Sequence, residues 1–359
     1  MKLYKLLFLT FLIFAFGCDK GYIDDITPKE AGPDEEAPVI DMVFPKGDIV
    51  IPFTDEETDL DIQIEVTDDI EISTVQLTLD GTNLATFNEF TDYRRFLSSY
   101  LYEDLQLGDH TLEITATDEA GKTTTETLEF NVTNKYTPKY DGEIFYMPFE
   151  GGLFTEIITE TDANVVGDPG FTDGYVLNGY QGADSSYLTF PAAELMNDEF
   201  SAVMWYNVDD SAEPNRAGIL VIGPPNDGPP VSLNNGFKFF REAAGDNQRI
   251  KLNAGSGDGN NWFDGGSDAD IDPGANTWVH LAFTISGTEC KVYINGEVVR
   301  EAEFTGISWD NCETLSIMSG APNFVHWNHR FDRSLLDELR IFNKALTQGE
   351  IQAIIDDES

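Results

Sequence analysis

Between Thr277 and Ile285 the chain reads Thr-Trp-Val-His-Leu-Ala-Phe-Thr-Ile. Val279, Leu281, Phe283 and Ile285 fall on one side of a period-two strand, and Trp278, His280, Ala282 and Thr284 on the other. Both sets are largely apolar, so the strand belongs deep in a stack with both faces covered. Such a strand commits the C-terminal part of the chain to layered β-structure. Ser286-Gly287 turns the chain, Cys290–Ile294 returns, and Asn295-Gly296 supplies a second hairpin turn. Phe200–Val208 is a further strand, and Gly, Asn, Asp and Pro punctuate the rest. Only the end reads as helix. Thr347-Gln348-Gly349-Glu350 is a capping box, Leu346 and Ile351 fit a hydrophobic staple, and Ile354 and Ile355 extend the apolar stripe.

The segment 38–134 repeats the theme. Ile62, Ile64 and Val66 alternate with polar residues, as do Val75, Leu77 and Leu79, with Asp80-Gly81 as a type I′ signal. Leu112, Ile114 and Ala116 follow, then a turn at Asp118–Gly121, then Leu128, Phe130 and Val132. About seven short strands read as an Ig-like sandwich. Pro38-Val39-Ile40 with Asp118-Glu119-Ala120-Gly121 resembles bacterial Ig-like spacer modules, which implies a stalk. Tyr93, Phe96, Tyr100 and Tyr102 form the aromatic surface of the sharper alternative, a docking or glycan-binding module, and core packing would explain them equally. Residues 135–140 make a short linker.

At the N-terminus Lys2 and Lys5 precede an apolar run, Leu6–Gly17, too short to span a bilayer and suited to a signal-peptide core. Ala15-Phe16-Gly17-Cys18 resembles a bacterial lipoprotein signal, which implies cleavage after residue 17 and lipid on Cys18; ordinary signal-peptide cleavage is the alternative. Residues 18–37, with Pro28, Pro33 and Asp34-Glu35-Glu36, form an acidic extended tether. The ensemble resembles surface lipoproteins of Bacteroidetes-type bacteria and implies an outer-membrane lipid anchor with the protein at the cell surface. Asp19 would direct inner-membrane retention by the enterobacterial rule, so surface display rests on that resemblance.

Charge narrows the partners. Against 21 Lys and Arg stand 65 Asp and Glu, a net charge of −44, which repels nucleic acid and anionic membranes. In an exported chain, Cys290 and Cys312 read as one disulfide, worth on the order of 3 kcal/mol for a loop of about 22 residues; two buried thiols are the alternative.

Within 141–359 the order of three strings is specific. Trp278–Thr284, Lys291-Val292-Tyr293-Ile294-Asn295-Gly296-Glu297 and Leu336–Thr347 look like the LamG, or concanavalin A-like, jelly-roll family. Tyr175–Gly179 with Tyr187-Leu188 is similar to its early strand pair. The expected fold is therefore all-β: an Ig-like sandwich followed by a concanavalin A-like jelly roll with a short C-terminal helix. This fold hosts lectins, carbohydrate-binding modules, glycan-cleaving enzymes and adhesion modules. Trp205 and Trp278 sit in strands and read as core. Loop indoles offer flat apolar faces to sugar rings, with nearby polar groups for the hydroxyls. Asn260-Asn261-Trp262-Phe263-Asp264 and His326-Trp327-Asn328-His329-Arg330 carry that mixture, and Trp309 is a third candidate. The same tryptophans could instead plug a sandwich end.

A metal site is the second candidate. Asp268, Asp270 and Asp272 alternate as in a calcium loop, but Pro273 intervenes before Gly274 and Val279 stands where an EF-hand needs Glu. A solvated acidic loop is the alternative. The resemblance also implies a structural Ca²⁺ held by Asp337 on the last strand, with Glu150 or Gly151 beside it. His326 and His329 lack the Cys or Glu of a soft-metal motif. No Glu-x-Asp-x-x-Glu string and no Gly-x-Ser-x-Gly elbow occurs. The expected function is non-catalytic capture of polysaccharide or oligosaccharide beside a glycan-uptake complex. Adhesion to a protein partner is the first alternative, and a glycoside hydrolase or polysaccharide lyase the second.

Overall fold

The computed structural model describes residues 32–209, 214–225 and 233–359. Cys18 and the signal segment lie outside the described residues. Two compact units emerge: the described residues up to Ile49 with Thr58–Val132, and Val50–Glu57 with Thr133–Ser359.

The smaller unit is built from β1 (Val39–Phe44), β2 (Ile49–Val50), β3 (Glu57–Thr67), β4 (Ile72–Leu79), β5 (Thr82–Phe87), β6 (Arg95–Gln106), β7 (Gly108–Asp118) and β8 (Thr123–Thr133). They form a three-stranded sheet, β1-β3-β6, and a five-stranded one, β2-β8-β7-β4-β5. Ile62, Ile64 and Val66 of β3 are sealed in the core with Val75 and Leu77 of β4 and Leu112 and Ile114 of β7, the faces that alternation assigned. Asp80 and Gly81 both have positive φ, 49° and 76°, as the β4–β5 type I′ turn requires.

The larger unit contains β9 (Glu143–Met147), β10 (Thr155–Glu156), β11 (Thr161–Asp162), β12 (Asn164–Val166), β13 (Gly170–Asp173), β14 (Asn178–Gln181), β15 (Tyr187–Pro191), β16 (Phe200–Asn207) and β17 (Arg216–Gly223). It continues through β18 (Phe237–Ala244), β19 (Asn247–Gly255), β20 (Asn260–Asp264), β21 (Asp270–Ile271), β22 (Val279–Ile285), β23 (Glu289–Ile294), β24 (Glu297–Glu303), β25 (Thr314–Ile317) and β26 (Leu335–Phe342) to helix α1 (Gln348–Glu358). One eight-stranded sheet runs β12-β15-β25-β17-β18-β19-β20 with β21 beside β19; the other runs β13-β14-β26-β16-β22-β23-β24 with β9 beside β26. One apolar cluster joins them, including Phe200, Phe237, Phe239, Leu252 and Phe283.

Strand β22 is covered on both sides, as its two apolar faces require. Leu281, Phe283 and Ile285 enter the central core, while Ala282 joins a second cluster beneath α1 with Val203, Tyr293, Ile351 and Ile354. Thr347 and Glu350 complete the capping box at the start of that helix. Trp278 is only half-buried and sits ahead of the strand, because β22 begins at Val279.

The disulfide expectation is corrected. Cys290 and Cys312 are separate, buried thiols. Cys290 belongs to β23 in one sheet, and Cys312 lies in the turn before β25 in the other. Each packs into the central apolar cluster as a small hydrophobe.

Candidate functional site

The two sheets are finished differently on the outside. Helix α1 covers the outer face of the β22 sheet. Among the described residues, the irregular segment 320–330 and Leu233 cover the β18 sheet. Gly320 lets that segment fold back, since a Cβ there would stand 2.0 Å from the His329 carbonyl oxygen and 2.4 Å from that of Phe324.

Strand register sets out the floor. Asn253 on β19 lies between Lys238 of β18 and Trp262 of β20. The next row is Phe240, Lys251 and Asp264, and the row after it Glu242, Arg249 and Asp270. Side chains point alternately, so Phe263 faces the other way and is sealed in the core. It is therefore removed from the surface assigned to it by its loop-like sequence. His329 is likewise buried rather than exposed.

Aromatic rings climb from this floor. Phe240 meets Phe324 at 5.3 Å and His329 at 4.7 Å between centroids. Above them Trp327 packs edge-on against Phe324 at 5.9 Å. Trp262 stands beside it at 5.9 Å with its ring tilted by 56°, and it remains 44% exposed. His326 is exposed, its ring 5.4 Å from that of Trp327. The two strings that carried the loop indoles thus meet on one face. Trp309 is elsewhere. Its indole N–H donates to the Asn197 carbonyl at 2.9 Å, and its ring packs on Phe200 and Phe237, closing the sandwich.

Polar groups surround the rings. Asn253 Nδ2 donates to Asn260 Oδ1 at 3.0 Å, and Asn260 Nδ2 donates to Asn234 Oδ1 at 3.2 Å. The buried side-chain oxygens of Asn235 and Asn253 have no hydrogen-bond partner among the described residues, an unusual condition for buried amides. Lys238 Nζ donates to the Asn235 carbonyl at 2.7 Å, and burial pulls its ammonium down to about 7.

An ion-pair ladder crosses the same face. Arg249 bonds Asp270 at 2.6 Å; Lys251 joins Asp264 at 3.0 Å and Glu242 at 3.1 Å. His329 Nε2 is 3.0 Å from Glu242 Oε1. Burial lowers the pKa of the His329 ring. The hydrogen bond from His329, and then that from Lys251, holds the Glu242 carboxyl down at about 2. Sequence reasoning missed Phe240, Phe324, Glu242, Lys251 and Asn253. The available signal was Phe240 itself, an apolar residue on a strand face shared with Lys238 and Glu242.

The acidic loop does not converge. Asp270 is committed to Arg249, and Asp272 accepts the N–H of Gly274 at 2.9 Å, while Asp268 sits in a short helical turn. On β26 of the other sheet, Asp337 Oδ2 accepts the N–H groups of Tyr175 and Val176 at 2.8 and 2.9 Å. Glu150 accepts from Asn178 N at 3.1 Å and from Asn178 Nδ2 at 2.9 Å, so both carboxylates address the 174–178 loop. Burial pushes the Asp337 carboxyl up to about 8. Among the described residues, no three His, Cys, Asp or Glu side chains gather as a metal set, and no helix is long and apolar enough to cross a membrane.

Two antiparallel eight-stranded sheets packed face to face, with one helix on an outer face, form a concanavalin A-like jelly-roll domain. Residues 181–352 match the profile of the concanavalin A-like lectin/glucanases superfamily. Among solved structures, domain 4 of AbnA, a GH43 extracellular arabinanase from Geobacillus stearothermophilus, in complex with arabinotriose, is similar at 19% identity and TM-score 0.45, covering 60% of this chain and 99% of that one. The botulinum neurotoxin serotype C1 binding domain is similar at 14% identity and TM-score 0.44, covering 61% of this chain and 52% of that one. The binding domain of Paraclostridial Mosquitocidal Protein 1 gives 17% and 0.42, with coverage of 60% and 52%. The chain thus spans about half the length of those toxin domains. No curated protein matches it.

Proposed function

We propose that the protein is a non-catalytic, surface-displayed glycan-binding lipoprotein. Lipid on Cys18 anchors it to the outer membrane, the N-terminal module raises it, and the jelly roll captures polysaccharide or oligosaccharide for a neighbouring uptake complex. The observation that carries the reading is the Trp262–Trp327 pair, two indoles set side by side on the outer face of the β18 sheet, with the buried Asn253 opposite Trp262 in the strand register. Apolar ring faces with a few convergent polar groups suit the C–H faces and hydroxyls of sugars.

The carboxylates beside the patch support binding over cleavage. A glycosidase needs an acid with a raised pKa, whereas the Glu242 and Asp264 carboxyls are both held low, Glu242 first by His329 and Asp264, despite its burial, by Gly266 and Lys251. Affinity electrophoresis across a polysaccharide panel tests the reading: retardation by at least one glycan, weakened in Trp262→Ala and Trp327→Ala, is expected. No retardation by any glycan would favour adhesion to a protein, and reducing-end release would favour an enzyme.

A structural Ca²⁺ belongs to the same proposal. Asp337 and Glu150, with the Gly151 carbonyl, would hold it against the 174–178 loop. The hard oxygen donors suit Ca²⁺, and the buried Asp337 carboxylate has no cationic side chain among its hydrogen-bond partners.

A further inference from the structure

Strand β6 ends the three-stranded sheet of the smaller unit, and among the described residues no strand pairs with its outer edge. It is a twelve-residue strand, and from Phe96 to Tyr102 it reads Phe-Leu-Ser-Ser-Tyr-Leu-Tyr, without a charge, a proline or a glycine. Leu97 and Leu101 are 59% and 55% exposed. Proteins usually protect such edges with charge, proline or bulges. Edge strand β24 of this same chain does so: Glu297, Arg300, Glu301 and Glu303 fill it. The edge of β6 is left unprotected in a chain of net charge −44.

Its sequence is also self-complementary. Reading outward from Ser99 in both directions, Ser98 answers Tyr100, Leu97 answers Leu101, Phe96 answers Tyr102 and Arg95 answers Glu103. Asp104 then takes a left-handed backbone, φ 58°, which ends the regular run. A two-fold antiparallel pair brings residue i of one copy against residue j of the other and j against i. With the axis at Ser99, Leu97 opposes Leu101, Phe96 opposes Tyr102 and Arg95 opposes Glu103 on both sides of the axis, all favourable pairings, while Ser98–Tyr100 and Ser99–Ser99 place small hydroxyls at the centre without a clash.

We infer that β6 is a homodimerisation strand, pairing antiparallel with β6 of a second copy about an axis through Ser99. The new pairing would satisfy the open backbone edge and cover Leu97 and Leu101. Arg95 already donates to Glu65 at 2.6 Å in its own chain, and its five-donor fork leaves groups for Glu103 of the second copy. The overall like charge opposes association, but salt screens it beyond about 8 Å, so the contacting pairs decide the register.

The test is light scattering coupled to size exclusion on the purified full-length chain over a micromolar to millimolar series, with melting curves as a folding check. A dimer is expected. Arg95→Glu should lose it by opposing two acids, and Glu103→Arg should lose it by opposing two cations without touching the Arg95–Glu65 pair. Mixing the two single variants should restore a dimer, because each then supplies what the other lacks, and the double exchange should restore it within one chain. A wild-type monomer across the series overturns the inference, as do dimers indifferent to either change or variants whose mixture stays monomeric.

Discussion

Trp262 stands on a strand and Trp327 on an irregular segment, yet their ring centroids lie 5.9 Å apart at 56°. Phe240 and Phe324 support the two rings from below, so the pair is held before any ligand arrives. Trp262→Ala and Trp327→Ala are each expected to weaken glycan binding by ~1–2 kcal/mol, roughly five- to thirty-fold. Trp309→Phe should leave binding unchanged. Titration calorimetry against a retarding glycan measures all three, and equal losses for Trp309 and Trp262 would contradict the assignment.

Arg241 and Asp332 form a fully buried ion pair, 2.8 Å from Nη2 to Oδ1, backed by Tyr206 and Gln248. Removing one partner strands the other charge. Asp332→Ala should cost about 3–5 kcal/mol, and exchanging both residues for apolar ones of similar size should cost much less. Urea unfolding followed by tryptophan fluorescence reports this loss, since every tryptophan of the chain lies in the larger unit.

The Glu242 carboxyl gives a pH dependence of defined sign. Its bond from His329, then that from Lys251, lowers the folded pKa from 4.5 to about 2. A depressed carboxylate stabilises the fold fully above its ordinary value and loses that contribution as pH falls through the folded one. The melting-temperature gap between wild type and Glu242→Gln should therefore narrow between pH 4.5 and about 2. A gap constant over that range would show that the carboxylate contributes nothing.

Two buried thiols behave unlike a disulfide. Burial pushes Cys290 well up and Cys312 up to about 11, and the thiolate is the reactive form. Both should resist a thiol reagent in the native protein and react once it is unfolded. Reductant should leave the melting temperature unchanged; a drop would reinstate the bridge.

If Ca²⁺ sits between Asp337 and Glu150, EDTA should lower the melting temperature of the larger unit and added Ca²⁺ should restore it. Asp337→Asn should remove that response. An EDTA-indifferent melt in the wild type would leave the two carboxylates as hydrogen-bond acceptors for the 174–178 loop.

Features governed by near neighbours along the chain are legible in the amino-acid order alone. The alternation in Leu281, Phe283 and Ile285, the Asp80-Gly81 and Asn295-Gly296 turns and the Thr347–Glu350 cap each depend on residues a few positions apart. The sandwich follows, because period-two faces must be covered. Two tryptophan segments are legible as well, since indoles among Asn, Asp and His stand out from a core pattern. That Phe263 points inward while Trp262 points outward requires the β19–β20 register, because a slip of one residue exchanges the faces. That Cys290 and Cys312 remain apart, that Asp270 is spent on Arg249, and that Phe240 lies against Trp262 depend on which strands become neighbours. Local sequence sets which face a side chain takes, while the order of strands in the sheet sets what it meets there, and only the closed fold determines that order.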